Sequence, residues 1–193
     1  MNKVNQNSSS KRGALKIIGG QWRSRQIDVI DAEGLRPTPN RVRETLFNWL
    51  QADVFNSRCL DLFAGSGALS FEAASRGAKN VVQIENNVAA CGALKANAEK
   101  LGATHVHTVQ SDALTYLAKP PPHQFDVVFI DPPFGLDLVV QSCELLEKNL
   151  WLAPYAKIYI ETETTLKLEL PESWQLLKSK VAGEVAYSLF MVR

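Results

Sequence analysis

The sequence contains few cysteines and no long apolar run, and each absence excludes a class of protein. Its three cysteines, Cys59, Cys91 and Cys143, are too widely spaced for a CxxC zinc half-site and cannot form an even disulfide framework. No stretch approaches the roughly 18 consecutive apolar residues that cross a membrane. We therefore expect a protein of the reducing cytoplasm with no membrane anchor and no metal, in which the cysteines are buried fillers.

An excess of one charge is also missing, but the charges are unevenly placed. The 193 residues carry 21 Lys and Arg and 20 Asp and Glu, for a net charge of +1. Residues 1–58 hold ten of the basic and five of the acidic side chains, whereas residues 59–193 are net acidic. This asymmetry predicts a polyanionic partner at the front of the chain, with a merely solvated basic face as the alternative.

The pattern of apolar and punctuating residues divides the chain into three parts. Residues 1–13 lack the apolar core of a secretory signal and are predicted to form a disordered leader. Residues 14–57 predict a hairpin around the Gly-Gly pair at 19–20, followed by a helix with Pro39 at its first position. Residues 58–193 form the third and largest part.

The predicted hairpin and helix carry most of the arginines in the basic front. Arg23 and Arg25 are expected on one face of the second hairpin strand, because strand side chains alternate with a period of two. The helix has a predicted buried stripe, formed by Val42, Leu46, Trp49 and Leu50. Arg36, Arg41 and Arg43 are placed at the start of this helix, off the stripe.

The third part alternates short apolar runs with longer helical segments. Strands are predicted at 59–63, 80–85, 105–110, 125–131 and 156–161, and helices at 67–76, 88–101, 113–118 and 138–149. Fully apolar strands that alternate with helices predict a parallel sheet covered on both faces. Two further runs, at 174–180 and 185–192, predict an antiparallel pair at the end of the chain.

Glycines and acids follow the first strands of this series. The segment from Asp61 to Gly67 reads DLFAGSG, and its glycines allow close backbone approach while the next helix N-terminus favours an anionic group. Glu85 ends the second strand 24 residues after Asp61, where an acid can accept hydrogen bonds from ribose hydroxyls. Asp112 follows the third strand at the same edge. Together these residues predict a site for a nucleoside cofactor.

Two positions distinguish between the candidate cofactors. A dinucleotide fingerprint requires a third glycine or an alanine at position 70, where this chain has Ser70. Such a fingerprint also usually follows an apolar strand end, where this chain has Asp61. A carboxylate suits a ligand with an amino group, as in the methionine moiety of S-adenosylmethionine. We predict S-adenosylmethionine as the cofactor, with NAD as the alternative.

A second motif, Asp131-Pro132-Pro133-Phe134, follows the apolar strand that begins at residue 125. Two successive prolines have fixed φ and no N–H, so the backbone is stiff and its carbonyl oxygens are free to accept. An amino group on a flat base could donate to Asp131 and the Pro132 carbonyl while the base stacks on Phe134. A rigid turn that only ends the strand is the alternative.

In combination, these motifs resemble class I S-adenosylmethionine-dependent methyltransferases that act on exocyclic amines. The segment LRPTPNRVRETLFN at 35–48, followed by LDLFAGSGALSFEAASRGA, is more specific. It resembles the bacterial RsmD family, the 16S ribosomal RNA guanine-N2 methyltransferases. The match runs from about Gly13 to the C-terminus.

The resemblance implies an α/β fold and a particular substrate. The expected fold is a Rossmann-like, seven-stranded sheet, mostly parallel with an antiparallel C-terminal pair, preceded by a small N-terminal hairpin and helix that help to hold RNA. The family methylates a single loop guanine of 16S ribosomal RNA within the assembled or assembling small ribosomal subunit. We expect this chain to act as a monomer.

The motif positions assign a role to each candidate residue. The expected catalytic residues are Asp131, Pro132, Pro133 and Phe134. The expected cofactor contacts are Asp61, Phe63, Gly65, Gly67, Glu85, Asp112 and Ala113. Phosphates of the RNA would be held, without sequence readout, by Arg23, Arg25, Arg36, Arg41 and Arg43.

Other functions are compatible with parts of the pattern. Adenine-N6 methyltransferases of DNA or RNA share the DPPF motif, and a cofactor-binding module could hold RNA without catalysis. A nicotinamide oxidoreductase is disfavoured by Ser70. The basic segment containing RVRE favours the guanine-N2 enzyme, and the intact cofactor loop argues against a non-catalytic module.

Overall fold

The computed structural model of the chain describes residues 12–30, 39–133, 137–164 and 169–193. A two-stranded antiparallel sheet comes first, formed by β1 (Arg12–Lys16) and β2 (Gln26–Ile30), and helix α1 (Asn40–Trp49) follows it. The other elements, in chain order, are β3 (Arg58–Asp61), α2 (Ala68–Ser75), β4 (Asn80–Glu85), α3 (Val88–Leu101), β5 (Val106–Gln110), α4 (Ala113–Leu117), β6 (Phe125–Ile130), α5 (Leu138–Lys148), β7 (Leu152–Glu163), β8 (Trp174–Ala182) and β9 (Val185–Val192). Most of the predicted leader, Arg36 and Phe134 lie outside the described residues.

The large sheet has the strand order β5-β4-β3-β6-β7-β9-β8. Strands β3 to β7 are parallel, and β9 runs antiparallel to both β7 and β8. The predicted fold class, including the small N-terminal hairpin, is confirmed. The chain moves outward from β3 to β5 and then returns to β6 on the other side of β3. This reversal places the topological switch point, where open α/β sheets bind ligands, at the carboxyl ends of β3 and β6.

Helices cover both faces of the parallel strands, which is why the central strands β3, β4 and β6 are largely apolar. The core under α1, α2 and α3 includes Phe47, Phe71 and Phe129, all at most 1% exposed. The core under α4 and α5 includes Phe125 and Trp151, whose rings stack with centroids 5.9 Å apart. Within the described ranges, no helix is both long enough and apolar enough to cross a membrane.

The connection of the N-terminal hairpin is longer than predicted. The second strand begins at Gln26, so Arg23 and Arg25 lie in the connection and not on a strand face, which corrects their predicted placement. The backbone of the connection forms a hydrogen bond to α2, because the Gln21 N–H donates to the carbonyl of Ser75 at 2.7 Å. Docking on the end of α2 therefore replaces strand pairing here.

Helix α1 buries one charged side chain that the sequence pattern places at the surface. The predicted stripe is largely confirmed: its buried members are Val42, Leu46 and Leu50, and Trp49 is half-buried. Arg43 is also 0% exposed. Its guanidinium donates to the Lys16 carbonyl at 3.0 Å and lies 3.8 Å from the Glu72 carboxylate. Burial lowers the pKa of Arg43 from its usual value, an effect that the charge of Glu72 opposes.

Glu72 of α2 joins the N-terminal hairpin to the large sheet. Its carboxylate, which is 0% exposed, accepts hydrogen bonds from the N–H groups of Ile18 and Gly19 at 2.7 and 2.8 Å. The same carboxylate accepts from Nε of Arg76 at 2.7 Å. A buried carboxylate is stable only with such partners, so the hairpin connection, α1 and α2 depend on one another at this point.

Strand β2 is fixed along helix α3 by a second set of contacts. The side-chain amide of Asn97 accepts from the N–H of Asp28 at 2.9 Å and donates to its carbonyl at 2.8 Å. Nearer the end of α3, the Arg25 guanidinium donates to the Lys100 carbonyl at 2.6 Å. Because α3 ends at the amino edge of the sheet, the hairpin connection at 17–25 lies at that edge.

Candidate cofactor and substrate site

The loop between β3 and α2 requires its glycines. Gly65 and Gly67 have φ of 50° and 77°, in the left-handed region that favours glycine. A Cβ on Gly67 would also lie 2.6 Å from the Phe71 ring and 2.7 Å from the Leu94 side chain. The glycines therefore allow the loop to pack closely on α2 and α3 at the switch point.

Glu85 at the end of β4 holds this loop in place. Its Oε2 accepts a hydrogen bond from the Gly65 N–H at 2.8 Å, and its Oε1 accepts from the Asn87 N–H at 2.8 Å. The residue is 9% exposed. Each carboxylate oxygen has a second lone pair, so the geometry leaves acceptor capacity for a hydroxyl donor. The acid predicted to contact a ribose thus also shapes the glycine loop.

Asp61 at the end of β3 is a buried carboxyl group in an acidic environment. It is 2% exposed, and its pKa is raised to about 7, mainly by burial and further by the charges of Asp131 and Glu85. Hydrogen bonding from Ser70 opposes this rise. The Ser70 hydroxyl in turn accepts from the Gln83 amide at 2.8 Å. A cationic ligand group beside Asp61 would favour its ionised form.

The raised pKa of Asp61 predicts a pH-dependent stability. A carboxyl group whose folded pKa exceeds its unfolded value costs stability as the pH rises from about 4 to 7. We expect Asp61→Asn to remove this cost, stabilising the ligand-free protein at pH 8 by up to about 4 kcal/mol, with the gain vanishing toward pH 4. Thermal unfolding between pH 5 and 8 measures the effect, with exposed Asp28→Asn as the control. A gain that does not depend on pH would contradict it.

Asp112 and its neighbours lie at the same edge of the sheet. Asp112 is the N-cap of α4, and its Oδ1 accepts from the Thr115 N–H at 2.8 Å. Its side chain is exposed, whereas Ala113 is 4% exposed and Phe63 is half-buried against the second core. These residues can form one wall of a nucleoside site.

The DPP motif begins where β6 ends, beside the end of β7. Ile130 pairs with Ile160 in parallel register, which places Asp131 and Glu161 at matching positions on neighbouring strands. Glu161 pairs in turn with Tyr187 of β9. Asp131 is half-buried, Pro132 is buried and Pro133 is exposed. Asp131 therefore lies at the switch point, with acidic groups on both adjacent strands.

Glu161 is the main site residue that the sequence did not predict. It is 5% exposed and accepts a hydrogen bond from the Tyr159 hydroxyl at 2.7 Å. Its pKa is raised to about 8, first by burial and then by the charge of Asp131. In the sequence, Glu161 is visible only as an acid at the end of the apolar run AKIYIE. The strand order, in which β7 lies next to β6, is what places Glu161 beside Asp131.

The predicted arginine contacts are separated in the structure. Arg41, in the first turn of α1, is exposed, as are Arg23 and Arg25 at the amino edge. Arg43 is buried against Glu72, which corrects its predicted role as a phosphate contact, because its guanidinium cannot reach the surface. Arg36 lies outside the described residues.

Comparison with known proteins identifies relatives over nearly the whole chain. A family model described as "Conserved hypothetical protein 95" matches residues 15–191. The chain is 47% identical to "Ribosomal RNA small subunit methyltransferase D" of Haemophilus influenzae over 93% of this chain and 94% of the relative. The protein of the same name from Escherichia coli is also 47% identical, over 98% of this chain and 94% of the relative.

This chain belongs to the ribosomal RNA small subunit methyltransferase D family. The resemblance to the RsmD family is thereby confirmed. Solved structures related to this family member include a putative methyltransferase from Escherichia coli, with a TM-score of 0.86 and 46% identity, over 93% of this chain and 98% of that chain. A Thermus thermophilus 16S rRNA N2 G1207 methyltransferase in complex with AdoMet and guanosine shares the fold, with a TM-score of 0.72 and 22% identity, over 98% of this chain and 52% of that chain.

Proposed function

We propose that this protein transfers a methyl group from S-adenosylmethionine to the exocyclic N2 of a guanine in small-subunit ribosomal RNA, within an assembled or assembling particle. The observation that carries the proposal is the convergence of Asp61, Glu85 and Asp131 at the switch point of the sheet. The names of the Haemophilus and Escherichia relatives support the RNA class.

The residues at the carboxyl edge fit the cofactor. The buried Asp61 carboxyl suits the methionine ammonium, because a cation there offsets the burial that raises the pKa of Asp61. Glu85 retains acceptor capacity for ribose hydroxyls beside the glycine loop that it holds. Asp112 and Ala113, with Phe63, would contact the adenine. Bound S-adenosylmethionine supplies an electrophilic methyl group on its sulfonium.

Asp131 and Pro132 would act on the target amine. The lone pair of guanine N2 is delocalised into the ring, so the amine is a poor nucleophile. N–H donation to the Asp131 carboxylate and the Pro132 carbonyl favours a pyramidal nitrogen with its lone pair directed at the methyl carbon. In the transfer, the N–C bond would form as the S–C bond of the bound donor breaks, with the electron pair left on sulfur. The nitrogen would then lose a proton to Asp131 or water. Stacking of the base on Phe134, which lies outside the described residues, is part of the same proposal.

The base must leave its stack to reach this edge, which favours an unpaired loop nucleotide as the substrate. Radiolabelled methyl transfer to small subunits from cells lacking the enzyme, with identification of the product nucleoside, tests the proposal. Label in N2-methylguanosine is expected. Label in N6-methyladenosine would support an adenine-N6 enzyme instead, and absence of label despite cofactor binding would indicate a non-catalytic module.

Arg41 lies in the first turn of α1 and is exposed, so it remains available to RNA. We expect Arg41→Ala to weaken binding to the substrate particle and to reduce the slope of log affinity against log salt by about 1, because one phosphate contact is lost. S-adenosylhomocysteine affinity should not change. Binding titrations at several KCl concentrations measure both quantities, with exposed Lys119→Ala on the opposite face of the sheet as the control. Loss of cofactor binding would contradict this role.

A further inference from the structure

A depression of about 550 Å³ lies at the amino edge of the sheet, opposite the cofactor site. We call it the amino-edge pocket; its polar and aromatic lining consists of Gln21, Phe55, Ser75, Arg76, Lys79 and His105. It opens where α2 ends and β4 begins. Because α3 spans the same distance in 14 residues, the pocket lies about 20 Å from the carboxyl edge.

The lining of the amino-edge pocket is basic and includes an exposed aromatic ring. Its charged residues are Lys79, which is exposed, and Arg76, whose guanidinium pairs with the buried Glu72 carboxylate at 2.7 Å; no carboxylate is among the described lining residues. Phe55 is 77% exposed and packs against Gly77, where a Cβ would lie 2.8 Å from the ring. A cationic surface with an exposed ring has the chemistry that holds a nucleic-acid backbone and stacks an unpaired base.

The backbone around the pocket is fixed before any ligand binds. The Asn56 N–H donates to the Gly77 carbonyl at 2.8 Å, and the Lys79 N–H donates to the Ser57 carbonyl at 2.7 Å. On the other side, His105 stacks on Trp22 of the hairpin connection, with ring centroids 5.8 Å apart. A ligand would therefore meet a preformed surface and would lose little energy to ordering it.

The basic surface continues from the pocket onto the hairpin connection. Arg23 follows Trp22 and is exposed, and Arg25 is exposed while it donates to the end of α3. Lys100 lies beside them and pairs with the exposed carboxylate of Asp28 at 3.3 Å. Two of the predicted RNA contacts thus lie at the amino edge, about 20 Å from Asp131.

We propose that the amino-edge pocket and the adjoining arginines, Arg23 and Arg25, bind the phosphate backbone of a second RNA segment of the substrate particle, separate from the segment that carries the methylated base. This inference rests on the proposed function only for the identity of the particle. A folded particle can present a second RNA segment about 20 Å from the methylated base. Binding to both segments would favour the particle over an isolated loop.

The test uses the double charge reversal Arg23→Glu/Lys79→Glu in the full chain. The control, Lys119→Glu/Lys148→Glu, makes the same charge change with exposed lysines of the opposite sheet face. Binding to small subunits lacking the modification is measured over a range of KCl concentrations. For Arg23→Glu/Lys79→Glu, we expect at least a tenfold loss of affinity at low salt. The slope of log affinity against log salt should also decrease by about 2, and both effects should be larger than those of the control.

Three outcomes would overturn the proposal. Affinity equal to that of the control variant would show that the surface does not contact the particle. Weaker binding with an unchanged salt slope would indicate a ribosomal protein as the partner and not phosphates. An equal loss of affinity for an isolated target loop would place both segments at one site. Methyl transfer by the unmodified enzyme is assayed separately, so failure of the proposed function remains distinguishable from failure of this surface.

Discussion

Asp131→Asn is expected to lower kcat for methyl transfer by about 10²- to 10³-fold, the range seen when one preorganised polar contact to a reacting group is removed. The asparagine keeps the shape of the side chain but loses the charge that accepts from the target amine. Affinity for S-adenosylhomocysteine should not fall. The charge of Asp131 raises the pKa of Asp61, so removing it favours the ionised form of Asp61 that binds an ammonium group.

The neighbouring Asp137 provides a matched control for this variant. It is exposed, has φ of 54° and makes no cap hydrogen bond with its side chain, and asparagine tolerates that backbone conformation. Asp137→Asn should leave kcat near that of the unmodified enzyme. Single-turnover kinetics with saturating cofactor and particles separate the chemical step from binding. Full turnover by Asp131→Asn would remove Asp131 from the mechanism.

Glu72→Ala is expected to destabilise the fold by about 3–5 kcal/mol, because it leaves Arg43 as a buried charge and removes the acceptor of two backbone N–H groups. In a chain of this size, that loss lowers the unfolding midpoint by roughly 10 °C. The hairpin connection should also become sensitive to protease, since Ile18 and Gly19 lose their attachment to α2.

Two further variants test whether the effect of Glu72→Ala comes from its buried contacts with Arg43 or from the loss of a charge in general. Arg43→Met in the Glu72→Ala background should restore part of the stability, because no buried cation then remains unpaired. Lys100→Ala removes an exposed ion pair, with side chains 45% and 59% exposed, and should change stability by less than about 1 kcal/mol. Equal effects of Glu72→Ala and Lys100→Ala in thermal and urea unfolding would contradict the network.

The sequence predicts the large sheet well because its signals are local. The observed bounds of β4 and α3 equal the predicted ones, since an apolar run ends at Glu85 and Asn87 caps the following helix. The carboxyl-edge positions of Asp61, Glu85 and Asp131 follow from parallel strands alone. Each of these inferences needs only neighbouring residues and a general rule of fold geometry.

The errors arise where distant residues decide the outcome. Arg43 lies off the apolar stripe of α1, which predicts that it is exposed. Its partner Glu72 lies 29 positions later, in a helix whose sequence is otherwise mostly apolar. Arg23 and Arg25 continue an apparent strand, yet backbone contacts to Ser75 end the pairing earlier. Glu161 becomes a site residue only because β7 lies next to β6. None of these contacts leaves a periodic signal in the sequence.

A crystal structure with S-adenosylhomocysteine and guanosine tests most directly the claim that cofactor and target base meet at the switch point. We expect the amino acid ammonium at the Asp61 carboxylate and the ribose hydroxyls at Glu85. We expect the guanine 2-amino group within hydrogen-bond distance of Asp131 and the Pro132 carbonyl. Guanosine bound elsewhere, or with its 2-amino group turned away from Asp131 while the cofactor site is filled, would contradict it.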